Sequence, residues 1–179
     1  MRRTPELLSA YAAYHRDRRN IATHFVGVPM IVLAICILLA RPALAVPGLP
    51  GLMLSPALVV GLLACLWYLT RGELLLGLVT SAALGVLVGA GQALGTLSTG
   101  AWLATGLGLF LVGWAIQFLG HWYEGRKPAF VDDLAGLLVG PMFVVAEALF
   151  MLGWNKPLQQ RIEGEVGPTV LRNLSAIRP

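Results

Sequence analysis

Leu74-Leu75-Leu76-Gly77-Leu78-Val79-Thr80-Ser81-Ala82-Ala83-Leu84-Gly85-Val86-Leu87-Val88-Gly89-Ala90-Gly91-Gln92-Ala93-Leu94 decides the class of fold. The stretch holds no charge and no proline. At about 1.5 Å per helical residue it is long enough to cross the roughly 30 Å hydrocarbon layer of a bilayer. Lipid offers backbone N–H and C=O groups no partner, so such a run must satisfy them internally, as a helix. Gly77, Ser81, Gly85 and Gly89 recur every four residues along it, a ridge of small side chains suited to close helix contact.

Similar runs lie on either side. Arg71-Gly72-Glu73 is a tight polar turn, and before it residues 52–70 form a span that closes on Trp67 and Tyr68, as an aromatic belt would. Residues 21–40 form another, ended by Arg41-Pro42, with Pro47, Gly48, Pro50 and Gly51 in the connecting loop. Downstream, Gly95 to Gly100 is a short uncharged turn, and 101–120 is a further span. The last apolar run, 134–154, is interrupted by Gly136, Gly140 and Pro141 and contains Glu147. Two short helices bent at Gly140-Pro141 and packed re-entrantly would keep that carboxylate out of lipid; a fifth span is the alternative. In residues 1–20, Leu7, Leu8, Tyr11, Tyr14 and His15 follow helical spacing, which predicts an amphipathic helix on the membrane surface. Residues 155–179 read as a polar tail. The expectation is an all-α polytopic membrane protein with a single domain over 1–179.

Composition agrees. The chain is 57% hydrophobic and 12% charged, where a soluble domain carries about 25% charged residues. The net charge of +4 is no nucleic-acid footprint, because the cations cluster beside the apolar runs. Cys36 and Cys65 fall within apolar runs and read as small core residues. The basic N-terminus leads into an apolar stretch without a small-residue cleavage site, which favours a retained helix over a signal peptide. There is no phosphate-binding loop, GxSxG, HExxH or CxxC.

Arg2, Arg3, Arg16, Arg18 and Arg19 place the N-terminus in the cytoplasm. Four spans return the chain there, where Arg126 and Lys127 agree, and only Arg41 falls on the far side. An integral location follows, the inner membrane in a bacterium. The chain's three histidines then share the cytoplasmic face: His15 and His24 in Tyr14-His15-Arg16-Asp17-Arg18-Arg19-Asn20-Ile21-Ala22-Thr23-His24, and His121 in Gln117-Phe118-Leu119-Gly120-His121-Trp122-Tyr123-Glu124. Histidine is the commonest transition-metal ligand. It is also a common interfacial hydrogen-bonding group, and both readings stand. His15 and His24 are nine residues apart, about 180° around a straight helix, so a shared site requires a bend. Asn20, a good N-cap residue, is the expected place. Gln117, His121 and Glu124, spaced 0, 4 and 7, share one helical face that can line a pocket. Asp132-Asp133 either caps the next helix or orients a histidine through its second nitrogen. Glu147 either pairs with a cation or orients a histidine.

These blocks resemble the Mpo1-like family of small membrane proteins. The resemblance covers most of the chain and rests on Tyr14-His15 with Asn20, His24, Gly27 and Pro29; on Gln117-Phe118-Leu119-Gly120-His121 with Glu124, Pro128-Ala129 and Asp133; and on Pro141-Met142-Phe143-Val144 with Glu147. It implies an iron(II)-dependent dioxygenase that cleaves 2-hydroxy fatty acids with O2 in α-oxidation, giving CO2 and the acid one carbon shorter. It implies His15, His24 and His121 as Fe(2+) ligands, and Asn20, Glu124 and Asp133 as further catalytic-site residues. The implied partners are a 2-hydroxy fatty acid, O2 and the lipid bilayer. A non-catalytic lipid-binding or assembly protein is the competing reading. A small transporter would need paired broken helices in two halves, and only one broken segment is evident.

Overall fold

A computed structural model describes residues 2–45, 47–48, 53–133 and 135–173. Pro50, Gly51, Leu52 and Leu134, named above as loop residues or span limits, lie outside the described residues, as does the end of the tail, 174–179. The architecture is all-helical: α1 (Thr4–Ala12), α2 (Arg18–Leu38), α3 (Pro56–Leu69), α4 (Leu74–Leu94), α5 (Thr99–Glu124), α6 (Gly136–Met151) and α7 (Lys156–Val166). A two-residue antiparallel pair, β1 (Leu44–Ala45) with β2 (Met53–Leu54), closes the loop before α3.

Among the described residues, α2, α4 and α5 are long and apolar enough to cross a membrane, and the bent pair α6–α7 makes a fourth if counted as one span. The second expected span is shorter than its sequence run. Ser55 caps α3 by accepting the N–H of Leu58, with Pro56 in its first turn, and its 14 residues reach only about 21 Å. The expected bend at Gly140-Pro141 is also corrected. α6 runs through Pro141, whose missing N–H costs the ladder its bond to the Leu137 carbonyl without ending the helix. The break falls after Met151, where Gly153 and Asn155 take left-handed backbone angles and α7 leaves at 117°.

α2 is the central element, packed against α4, α5 and α6. Its contact with α5 is close because of glycines seven residues apart. Gly106 lies against Leu38, Gly113 against Ile31, and Gly120 against Thr23 and Asn20. The pairing runs backwards along α2, so the two helices are antiparallel. A seven-residue repeat stays near one helical face, and each missing Cβ lets the backbones approach. Of the ridge expected on α4, Gly77 does meet α3 closely, at Tyr68 and Leu69, but a Cβ on Gly85 or Gly89 would meet nothing within 4 Å, and it is Gly91 and Gly95 that sit against Cys36 and Ala40 at α2's other end.

α1 packs against α6 and α7, burying Leu7, Leu8 and Ala12 with Met142, Phe143, Leu158 and Ile162. Its apolar face is thus covered by protein. The outward faces of α3, α4 and α5 remain apolar, with Leu63, Leu66, Val86, Leu111 and Phe118 exposed, as a lipid environment requires.

Candidate metal centre

The bend that brings the histidines together comes earlier than Asn20. α1 ends at Ala12, and Asp17 caps α2 by accepting the N–H of Arg19. The physical cause is Glu124, fully buried at the end of α5. Its Oε2 accepts the backbone N–H groups of Arg16 (2.9 Å) and Asp17 (2.8 Å) and the Asn20 amide (3.1 Å). Its Oε1 takes the Arg172 guanidinium at 2.8 and 3.0 Å. Two N–H groups outside any helix are thereby satisfied, which fixes the turn that carries His15. The C-terminal segment completes the clasp: Val170 exchanges backbone hydrogen bonds with Arg16 and Arg18, and the Arg172 N–H donates to Asp17. Burial alone would raise the Asp17 carboxyl, but hydrogen bonds from Arg19 and Arg172 outweigh it and hold the group at about 2.

His15, His24 and His121 are all buried, with one potential ligand atom from each within 4.8 Å of the others. His15 Nδ1 lies 2.7 Å from the Tyr11 carbonyl, and His24 Nδ1 lies 2.8 Å from the Asn20 carbonyl. A carbonyl only accepts, so in each neutral ring the proton is assigned to Nδ1 and the lone pair to Nε2. The two Nε2 atoms then face each other 3.0 Å apart. A hydrogen bond between them would need an extra proton. Burial and the neighbouring His24 oppose this by holding His15 well below its ordinary 6.5. Two lone pairs aimed at one point fit a shared cation.

The spacing also bears on geometry. At metal–nitrogen bonds of about 2.1 Å, a 3.0 Å separation subtends about 90°, whereas tetrahedral ligands would stand about 3.4 Å apart. His121 supplies the third imidazole, with a candidate ligand atom within 4.8 Å of those of the other two. Its Nδ1 is buried without a hydrogen bond among the described residues, so a lone cation partner suits it. The Tyr11 ring stacks on His15, with centroids 4.1 Å apart and planes 6° apart. The donor set therefore fits a divalent transition metal.

The centre stands at the polar end of a cavity of about 300 Å³. Tyr11, His24, Gln117 and His121 line that end, and Val28, Ile31, Ile35, Phe110 and Trp114 line the rest. From His24 to Ile35 the wall is about 16 Å long.

The other residues singled out from sequence fall in different places. Asn20 and Glu124 hold the turn; the Asn20 amide donates to the Tyr14 carbonyl and to Glu124. Asp133 does not join the imidazoles. It pairs with Arg2, caps the N–H of Ala135 and lines a separate cavity of about 150 Å³. Asp132 pairs with Lys127 and accepts the Tyr14 hydroxyl. Glu147 faces the buried Arg16 at 3.9 Å rather than a histidine. Sequence reasoning missed three contributors: Tyr11, whose placement four residues before His15 was the available signal; the heptad Gly106, Gly113, Gly120; and Arg172, for which no local pattern exists.

A family model described as 2-hydroxy-palmitic acid dioxygenase Mpo1-like matches residues 1–152. The 2-hydroxy-palmitic acid dioxygenase MPO1 of Saccharomyces cerevisiae is 32% identical over 163 residues, covering 89% of this chain and 87% of the relative. No solved structure matches. The family match spans both histidine-bearing blocks and the helices that bring them together, and the chain belongs to the Mpo1-like family.

Proposed function

We propose that this protein is an iron(II)-dependent dioxygenase that shortens 2-hydroxy fatty acids by one carbon. The observation that carries the reading is the cluster of buried imidazoles at the polar end of an apolar cavity. The yeast relative's name supplies the substrate class. Atoms and electrons balance: R–CHOH–COOH + O2 gives R–COOH + CO2 + H2O. The substrate releases four electrons and O2 takes up four, so no nicotinamide or 2-oxoglutarate is needed.

His15, His24 and His121 would hold the metal. Iron(II), when bound by three imidazoles, supplies redox reactivity toward O2 and open positions for O2 and for the substrate's adjacent oxygens. The carbonyls of Tyr11 and Asn20 keep the His15 and His24 lone pairs on the metal side. Val28, Ile31, Phe110 and Trp114 receive the acyl chain and exclude water from the reacting end. Glu124 and Asn20 act as positioning residues through the 15–17 turn. The arginines around that turn argue for a centre on the cytoplasmic side.

The test is aerobic turnover of 2-hydroxypalmitate by the purified full chain supplied with Fe(2+), with detection of CO2 and the acid one carbon shorter. No product, together with no stoichiometric metal after anaerobic purification with iron supplied, would favour a metal-free lipid-binding protein instead.

A further inference from the structure

Gln117 is a buried amide, 3% exposed. Neither Nε2 nor Oε1 has a hydrogen-bond partner among the described residues. A buried polar group in that state is destabilising until a partner reaches it. The side chain sits one turn before His121 on α5 and lines the polar end of the cavity beside His24 and His121. Its slot exists because residue 27 is glycine: a Cβ there would lie 2.6 Å from Nε2 and 3.0 Å from the Gly113 carbonyl. The close helix contact thus admits an amide to an apolar wall and leaves it unpaired. The terminal torsion of glutamine is broad, so either end of the amide can turn toward the cavity.

An amide offers one acceptor and a pair of donors on adjacent atoms. A 2-hydroxy acid offers the complement, a hydroxyl donor beside a carboxylate acceptor. We infer that Gln117 is the specificity-determining residue for the substrate head, its Oε1 accepting the 2-hydroxyl and its Nε2 donating to the carboxylate while the acyl chain lies along α2. This rests on the dioxygenase reading. A plain fatty acid leaves Oε1 unpaired in a buried site, so Gln117 rejects substrates that lack the hydroxyl. Sites built to hydrogen-bond a group discriminate strongly against analogues without it.

The test compares wild type with Gln117→Leu and Gln117→Glu as full chains in detergent, with binding of 2-hydroxypalmitate and of palmitate measured separately. In Gln117→Leu the preference for the 2-hydroxy acid falls about tenfold, metal content is unchanged, and the ligand-free Tm holds or rises because two orphaned polar atoms are gone. In Gln117→Glu the new carboxylate repels both acids, and both bind more weakly. An unchanged preference in Gln117→Leu overturns the inference, as does a ligand-free Tm lower by several degrees, which would reveal an internal partner. Failure of the wild type to bind or turn over the 2-hydroxy acid overturns the dioxygenase reading itself, and this inference with it.

Discussion

Removing the Glu124 carboxylate separates a residue that holds the turn from one that takes part in chemistry. Its Oε2 gathers two backbone N–H groups and the Asn20 amide, and its Oε1 pairs with Arg172. Glu124→Ala leaves those donors without their acceptor, and breaking a buried charged pair from one side costs about 3–5 kcal/mol. A chain of this size loses about 2–4 °C of Tm per kcal/mol, so the expected fall is roughly 10 °C. Arg172→Ala removes the partner whose side chain is 36% exposed. Solvent screening discounts that half of the pair to about 1 kcal/mol, a few degrees. Glu124→Gln keeps the shape but turns N–H groups toward donors, and falls between the two. All three variants loosen the turn carrying His15, so metal affinity drops by about 10- to 100-fold in Glu124→Ala. Thermal unfolding in detergent, with and without added metal, reads both effects. A Glu124→Ala protein within two or three degrees of wild type, or an Arg172→Ala protein less stable than Glu124→Ala, would refute the clasp.

Other outcomes are equally definite. A metal at about 100 times its Kd stabilises wild type by about 2.7 kcal/mol, and His15→Ala, His24→Ala and His121→Ala each abolish that rise in Tm; a variant that keeps it does not lack a ligand. Burial, then His24, holds His15 neutral in the folded chain while the unfolded chain protonates it through 6.5. Stability of the metal-free protein is therefore full above about pH 6.5 and lost below it, by up to about 1.4 kcal/mol per pH unit; a denaturation midpoint that rises as pH falls contradicts this. In Gly120→Ala the added methyl collides with Thr23 and comes within 2.5 Å of Asn20 Oδ1. Overpacking of this kind costs about 1–3 kcal/mol, whereas Gly85→Ala, facing open space, leaves Tm unchanged or raises it. Equal Tm values for these two glycine variants would argue against the close α2–α5 contact.

What could be read along the chain was whatever local chemistry decides. Leu74–Leu94 is helical because an uncharged run of that length has no other way to satisfy its backbone in lipid, and the helix has those limits. The three histidines stood out because all lay at the ends of apolar runs, and a bend between His15 and His24 followed from helical angles. The position of that bend was not legible. Asn20 had the better local signal as a cap, but a carboxylate 104 residues away binds both the turn and the Asn20 amide, and α2 begins at Arg18 instead. Asp133 and Glu147 likewise could not be told from candidate histidine partners until Arg2 and Arg16 were seen beside them.

The sequence by itself determined the helical class, because spacing and hydrophobicity act over a few turns. Only the tertiary structure decided which small residues let helices meet, how the imidazoles face one another, and that Gln117 is left unpaired beside them. Those depend on contacts between α2 and α5, made by residues about 70 to 100 positions apart in the chain, where the absence of a Cβ on one helix creates room for a side chain on the other.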